Sequence, residues 1–317
     1  MPIAIQPRSM SVVVIARDEG EYLRRTVEQL TATTPAGTEI IVIDDGSRDG
    51  CADFLGVTAS SSGSEPGEVA RERLQHDPRL NGPLLIRSQD LGVARARNLG
   101  ASFASGEVLV FADAHIEVSG EWWRPLIALL ESDPSIAAVS PMISDVHERH
   151  RRGCGLKFTG PELTAQWLPR NSDSPHPAAI LAGCTFAIWR HIFQDTGGFD
   201  SGMLCSGGVD NEMCLRLWLL GYTLWIEPRV EVIHLFRKRH PYPIRWDTVL
   251  HNRLRLAFIH LDSLRVERVI RTLRSHDRFP AALAMTVQTN IAARRSAVSE
   301  KRMHDVDWFF NKFGPAW

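Results

Sequence analysis

The segment "EVLVFADAH", from Glu107 to His115, contains the clearest structural signal in this sequence. Its first six residues, Glu107 to Ala112, form a short apolar run that is typical of a strand buried on both faces. Asp113 and His115 follow two residues apart, and side chains at that spacing point the same way from an extended segment. At the carboxyl end of a strand in an α/β sheet, both face the crevice where such sheets bind ligands. The pair is therefore predicted to bind a metal or a substrate, or else to open the next helix.

Three further apolar runs precede this segment: "SVVVIA" (Ser11 to Ala16), "EIIVID" (Glu39 to Asp44) and "PLLIRS" (Pro83 to Ser88). The stretch "EGEYLRRTVEQL" follows the first run and has apolar residues at helical spacing. The stretch "LGVARARNLGASFAS" follows the third run and predicts a helix ended by Gly106. The turn "DGSRDG" predicts the cap of another helix, and the polar residues 57–68 predict a surface loop. Alternating strands and helices at these intervals predict a parallel, doubly wound sheet.

The alternation ends after Val146. The stretch "GCGLKFTGPELTAQWLP" predicts an antiparallel excursion, and "AAILAGCTFAIWR" predicts a buried strand that leads into a short helix. A helix is predicted over "DNEMCLRLWLL", ended by Gly221, and two short strands are predicted over "LWIEPRVEVIHLF". From Asp247 onward the sequence predicts helices rich in Arg and Leu. The second half is therefore expected to be mixed in topology.

Composition excludes several classes of protein. The 317 residues are 44% hydrophobic, enough for a full-sized core, and 36 basic against 37 acidic residues give no sign of a nucleic-acid binder. No apolar run approaches the roughly 20 residues that span a bilayer, and the first ten residues lack signal-peptide features. The cysteines form no C-x-x-C pair, so reduced thiols and a cytoplasmic location are expected. They are Cys51, Cys154, Cys184, Cys205 and Cys214.

Asp44 and Asp45 follow the second strand and have two interpretations. One carboxylate could accept hydrogen bonds from a uracil N–H or ribose hydroxyls, or the pair could cap a helix. Arg95 and Arg97 near the next helix start are either solvated or turned toward a diphosphate at the helix N-terminus. The first strand is followed by "ARDEGE" instead of G-x-G-x-x-G, which argues against a nicotinamide or flavin enzyme.

A second isolated histidine, His234, ends another predicted strand. Alone it is more typical of a core histidine, but together with Asp113 and His115 it completes a set of one carboxylate and two imidazoles. Such a set suits Mn²⁺ or another divalent ion, such as Mg²⁺. Asp210 has a similar ambiguity, since it could act as a general base or as the N-cap of the helix that follows it.

Several segments together resemble a known family. "VVVIARDEGEYLRRTV", "IVIDDGS", "LGVARARNLGA" and "GEVLVFADAHIE" resemble the first half of a family 2-type glycosyltransferase of the GT-A fold. "LAGCTFAIWRHIFQDTGGFD", "SGGVDNEMCLRLWLLGY" and "VIHLFRKRHPY" are similar to the polypeptide N-acetylgalactosaminyltransferases. The resemblance implies an α/β GT-A domain over residues 1–262, Rossmann-like, with a mostly parallel central sheet flanked by helices. Within it, a nucleotide-binding half covers about 10–118 and an acceptor half about 119–262, and a helical extension covers 263–317.

The resemblance also implies residue roles. Asp113, His115 and His234 would be metal ligands, with Asp113 also near the donor. "FRKRHPY" resembles a mobile loop that closes over the donor, and "LAGC" resembles the segment that touches the donor sugar. The catalytic carboxylate would come from Asp210 or Glu212, because Val209 stands where the family has a carboxylate directly after the Gly pair. The remaining donor-binding residues implied are Asp44, Asp45, Arg97, Gly183, Arg237, His240 and Tyr242.

The expected activity is metal-dependent transfer of a sugar from a UDP-sugar to an acceptor. UDP-GalNAc, UDP-GlcNAc and a UDP-hexose are the donors implied, and a Ser, Thr or Cys side chain of a peptide or a small natural product is the acceptor. Under inversion Asp210 is the base, whereas under retention it orients donor or acceptor, and the sequence leaves both open. Two alternatives remain: a nucleotidyltransferase, and a degenerate transferase domain that serves as a binding module.

Overall fold

The computed structural model describes residues 9–56, 59–60, 82–238, 241, 243–315 and 317. Within these residues one mixed sheet of twelve strands is flanked by ten α-helices. The strands are β1 Met10–Ala16, β2 Glu39–Asp45, β3 Ala59–Ser60, β4 Leu84–Ser88, β5 Val108–Asp113, β6 Ile116–Glu117, β7 Ile136–Asp145, β8 Arg152–Phe158, β9 Ala165–Pro169, β10 His176–Pro177, β11 Thr185–Trp189 and β12 Thr223–His234.

The helices flank the sheet and make up most of the chain after residue 245. They are α1 Glu21–Thr33, α2 Val93–Phe103, α3 Trp123–Ser132, α4 Arg190–Asp195, α5 Val209–Leu219, α6 Trp246–His260, α7 Ser263–Leu273, α8 Phe279–Val287, α9 Ile291–Lys301 and α10 Val306–Phe313. None of the helices that the structure describes has the length and apolarity to span a bilayer.

The sheet has the order β10-β12-β7-β11-β5-β1-β2-β4-β3. From β5 to β3 all neighbours are parallel, as the alternation of strands and helices predicts. Strand β11 is antiparallel to β5 and β7, while β12 is parallel to β7. The predicted α/β fold with a central sheet flanked by helices is confirmed, and its parallel part is concentrated in the first half of the chain.

Two local predictions were wrong. "LWIEPRVEVIHLF" forms the single long strand β12, because a register shift between Glu227 and Glu231 lets the chain pass Pro228 and continue its pairing with β7. The turn "DGSRDG" leads only to a 3₁₀ helix, Asp53–Leu55, in the described residues. The predicted loop at 57–68 lies outside the described residues, except for Ala59 and Ser60, which form β3.

The middle of the sheet positions the ligand crevice. Every residue of β5 from Val108 to Ala112 is buried, and Phe111 packs on Phe186, Phe193 and Phe199 with ring centroids 5.1 to 5.3 Å apart. Helix α2 lies against β1 at Gly100, where a Cβ would lie 2.3 Å from the side chain of Val13. This close approach lets the last turn of α2 lie directly on β1.

Glu212 lies in the interior and not at the crevice. Its carboxylate is fully buried and accepts hydrogen bonds from Arg216 Nε at 2.9 Å and His260 Nε2 at 2.8 Å. Arg216 in turn donates to the carbonyl oxygens of Thr196 and Gly198. A carboxylate occupied in this way joins α5 to α6 and cannot reach a substrate, so the prediction of a catalytic role for Glu212 is corrected.

Helix α6 contains two buried histidines that make stability depend on pH. Burial lowers the pKa of His260 below its usual 6.5, and burial likewise lowers the pKa of His251. Burial would raise the pKa of Glu212, but Arg216 and His260 more than offset this and hold it low. The folded state therefore takes up fewer protons than the unfolded state as pH falls below 6.5, and it loses stability there.

We expect the free energy of unfolding to fall between pH 7.5 and pH 5.5, by up to about 1.4 kcal/mol for each imidazole that stays neutral. Urea unfolding at the two pH values measures this difference. His251→Gln should reduce the pH dependence of the free energy of unfolding. The control is His150→Gln, at an exposed residue, which should leave that pH dependence unchanged. An equal pH dependence in wild type and His251→Gln would show that His251 titrates normally in the folded state.

Candidate metal site and ligand crevice

The predicted metal ligands converge at the carboxyl ends of two strands. Asp113 ends β5, His234 ends β12, and β6 pairs with β12 so that Ile116 lies opposite His234. One ligand atom each from Asp113, His115 and His234 lies within 4.8 Å of the others. The structure thus brings together the three residues that the sequence selected. Because the next helix begins only at Trp123, the alternative that Asp113 opens a helix is wrong.

His234 provides the test of whether a metal fits. It is buried, and neither ring nitrogen has a hydrogen-bond partner among the described residues. Its Nε2 lies 3.4 Å from Asp113 Oδ2. A buried ring nitrogen without a hydrogen-bond partner is costly, and a divalent ion held by His234 and Asp113 would give Nε2 a partner. One oxygen and two nitrogen ligands are a suitable set for Mn²⁺, so the residues present fit the ion.

The environment of Asp113 keeps its carboxylate ionised. Burial would raise the pKa of Asp113, but His234, Arg97 and His115 more than offset this and hold it below its usual range. The side chain is 24% exposed, so the charged group still faces the crevice. A permanently charged oxygen ligand is therefore available to a cation at neutral pH.

Arg97 lies beneath these ligands and connects four segments. Its side chain is 3% exposed and donates to Asp210 Oδ1 at 2.6 Å, Asp113 Oδ1 at 3.2 Å and the Gly183 carbonyl at 2.6 Å. Arg97 does turn inward, and its partners in this structure are two carboxylates and a backbone carbonyl. Its predicted contact with the donor stays a prediction.

Asp210 lies in the first turn of α5 and faces the crevice. The N-cap of this helix is Gly208, and within the described part of the chain no side chain caps it, so the N-cap interpretation of Asp210 is wrong. The carboxylate is 29% exposed and lies directly against Gly183, where a Cβ would be 2.1 Å from Asp210 Oδ2. Gly183 is therefore required for this carboxylate to reach Arg97.

Asp44 and Asp45 are buried and bound within the chain. Asp44 accepts hydrogen bonds from the backbone N–H of Ser47 and from Arg87 Nη1, both at 2.9 Å. Asp45 accepts three hydrogen bonds of 2.8 to 2.9 Å from the loop Ser88–Gly92. Both carboxylates therefore fix the loops that border the crevice. Their predicted contact with a nucleoside stays a prediction, and an ionised carboxylate has lone pairs left for it.

Glu19 is a site residue that the sequence reasoning missed. It follows β1, is 7% exposed, and has Oε2 2.9 Å from His115 Nδ1. Its carboxylate also forms an ion pair with Arg237. The sequence feature that indicates it is an acidic residue just after β1, the strand that pairs with β5. Of the other predicted loop residues, His240 and Tyr242 lie outside the described residues.

The mixed α/β sheet, with the acid–histidine cluster at its carboxyl edge, has a GT-A-like fold. The chain is similar to the solved structure of GalNAc-T7 with UDP, GalNAc and Mn²⁺, with a TM-score of 0.74 and 23% identity over 96% of this chain and 56% of that one. At this identity the likeness shows the shared fold. Residues 11–197 match the model of the glycosyl transferase family 2, and the chain belongs to this family.

Curated relatives in the family have polypeptide-transferase names. The chain is 32% identical to polypeptide N-acetylgalactosaminyltransferase 11 of Xenopus tropicalis over 81% of its own length and 43% of that protein. It is 31% identical to the human polypeptide N-acetylgalactosaminyltransferase 15 over 80% of its own length and 40% of that protein. The chain thus spans less than half the length of these two relatives.

We predict that Asp113→Asn and His234→Ala each weaken Mn²⁺ binding by more than about 100-fold, since changes beside a metal ligand already cost about 10- to 100-fold. Both variants should keep the fold, because Asn can still accept a hydrogen bond from Arg97 and the alanine removes an imidazole that has no hydrogen-bond partner in the described part of the chain. Calorimetric titration with Mn²⁺ and thermal unfolding measure the two effects.

The matched control for Asp113→Asn is Glu117→Gln, which changes an exposed carboxylate just beyond His115 and should bind Mn²⁺ as the wild type does. Wild-type affinity in Asp113→Asn would contradict the metal site. Unfolding of His234→Ala with unchanged Mn²⁺ binding in Asp113→Asn would make His234 a core residue.

Proposed function

We propose that this chain is a metal-dependent glycosyltransferase that moves a sugar from a UDP-sugar to a side chain of a peptide. The observation that carries the proposal is the cluster of Asp113, His115 and His234 at the carboxyl edge of a family 2 sheet. The names of the relatives support a peptide acceptor, and the bound ligands of GalNAc-T7 support UDP, GalNAc and Mn²⁺. UDP-GalNAc is thus the first donor to test, before UDP-GlcNAc and the UDP-hexoses.

The reaction requires stabilisation of a departing diphosphate as the glycosidic bond lengthens. Bound by Asp113, His115 and His234, Mn²⁺ would supply positive charge at that position. Arg237 adds a guanidinium three residues after His234, held at the crevice by Glu19. Asp113, which its surroundings keep ionised, would supply the charged oxygen ligand of the metal. These residues give the crevice the charges that a nucleoside diphosphate requires.

Asp210 is the proposed catalytic carboxylate of the site. Its carboxylate is partly exposed beside Asp113, and Arg97 fixes its position. Under inversion it would take the proton from the acceptor hydroxyl or thiol, and under retention it would orient donor or acceptor. Gly183, which lies against this carboxylate, is proposed to border the donor sugar, with Asp44 and Asp45 near the nucleoside.

The alternatives have less support in the described residues. A nucleotidyltransferase would carry a basic loop after its first strand, whereas this chain has Glu19 there, bound to His115. A degenerate binding module would lose its metal ligands, whereas all three are present and converge. The cytoplasmic location stays a proposal, supported by five cysteines that are free thiols.

We expect the protein to release UDP from UDP-GalNAc when Mn²⁺ is present, and to lose this activity in excess EDTA. Asp210→Asn should lower turnover by roughly 10²- to 10⁴-fold, the usual contribution of a general base, while Mn²⁺ affinity stays unchanged. A UDP-release assay with peptides that contain Ser, Thr or Cys, followed by mass spectrometry of the peptides, measures transfer. The exposed Asp133→Asn serves as the control substitution.

Three results would count against the proposed function. Turnover that continues in EDTA would remove the metal from the reaction. Release of pyrophosphate from a nucleoside triphosphate would favour a nucleotidyltransferase. Tight UDP binding without turnover of any UDP-sugar would favour the binding module.

A further inference from the structure

We propose that Glu19 is a positioning residue that sets the ligand nitrogen of His115 and holds Arg237 beside it. The inference rests on the proposed function, because it concerns how that metal and donor site is assembled. One buried carboxylate contacts both groups: Oε2 lies 2.9 Å from His115 Nδ1, and both carboxylate oxygens contact the guanidinium of Arg237.

The backbone around Glu19 is built to hold it in place. Asp18 before it and Gly20 after it have φ angles of 53° and 56°, and a non-glycine residue rarely adopts this region unless its surroundings enforce it. The carboxylate of Asp18 accepts the Arg48 N–H at 2.7 Å, and the Gly20 N–H donates to Asp49 Oδ2 at 2.8 Å. The turn is thus tied to the loop after β2, and Glu19 is directed under the crevice.

The contact with His115 determines which ring nitrogen binds a metal. An ionised carboxylate only accepts hydrogen bonds, so the proton of the neutral imidazole must be on Nδ1. Nε2 then keeps its lone pair and is the ligand atom. Without Glu19, the ring could turn or carry its proton on Nε2, and either change would remove a ligand.

The contact with Arg237 connects the same carboxylate to the segment that follows β12. Arg237 has 15% of its side chain exposed, and its guanidinium also lies over the ring of Tyr22, 5.8 Å from the centroid. In this position the guanidinium contacts the same carboxylate, that of Glu19, as the proposed metal ligand His115 does. Glu19 therefore couples the two sources of positive charge on which the donor diphosphate depends.

The experiment compares Mn²⁺ affinity of the full chain by calorimetric titration in wild type, Glu19→Gln and Glu21→Gln. Glu21 is the matched control, since it is an exposed glutamate two residues further along whose side chain lies 3.7 Å from Arg24. We expect Glu19→Gln to bind Mn²⁺ about 10- to 100-fold more weakly, with little change in thermal midpoint, and Glu21→Gln to match the wild type. Glu19→Asp, which keeps the charge on a shorter side chain, should fall between them.

Arg237→Gln separates the two contacts. It should weaken UDP binding in the presence of Mn²⁺ by about 10-fold or more, as loss of a charge-assisted hydrogen bond does, without weakening Mn²⁺ binding. Glu19→Gln should weaken both.

The outcomes distinguish this inference from the proposed function. A wild type that binds no Mn²⁺ would overturn both. If the wild type binds Mn²⁺ and Glu19→Gln binds it with equal affinity, only the role of Glu19 is overturned. If Glu19→Gln does not fold, equal affinity in Glu19→Asp leads to the same conclusion. Weakening of Mn²⁺ binding in Glu21→Gln to the same extent would assign the effect to net charge and overturn it as well.

Discussion

The candidate site depends on one buried guanidinium. Arg97 is almost fully enclosed and binds Asp113, Asp210 and the carbonyl of Gly183, so it fixes groups from three segments that are distant in sequence. Removing any partner of a buried charge is costly, which gives these segments a single mutual arrangement. Helix α2 can carry this arginine to the sheet only because Gly100 allows the helix to lie against β1. The packing of α2 on the core therefore also determines the position of Arg97 and the geometry of the crevice.

The charges around Arg97 suit the crevice to bind a divalent cation first and a diphosphate after the cation is bound. Asp113, Asp210 and Glu19 outnumber Arg97 and Arg237, so the site without a metal has an excess of negative charge. A divalent ion would reverse that sign at the point where the two arginines already lie, which is the requirement for binding a diphosphate. The carboxylates thus offset the two arginines in the absence of a donor and leave a negative charge that a metal would reverse.

Much of this could be predicted from sequence, because local patterns determine it. The β-branched runs and the spacing of Asp113 and His115 are readable without knowledge of contacts, and His234 ends a strand in the same way. Asp210 and Glu212 could not be distinguished, since their roles follow from partners far along the chain: Arg97 for the first, and His260 for the second. Glu19 was missed for the same reason, because its partners lie 96 and 218 residues away.

The helices after β12 take part in this geometry. In α6, Asn252 accepts the Leu204 N–H at 2.8 Å, and Arg255 binds Asp200, so this helix fixes the loop that leads to Asp210. Arg255 also donates to Thr289 Oγ1 at 2.8 Å, beyond the boundary proposed at residue 262. Side chains of residues 263–317 therefore hold one side of α6 in place. The other side of α6 holds the loop that leads to Asp210. On this argument the helical extension is a support for the position of Asp210, although it contributes no residue to the metal cluster of the described chain.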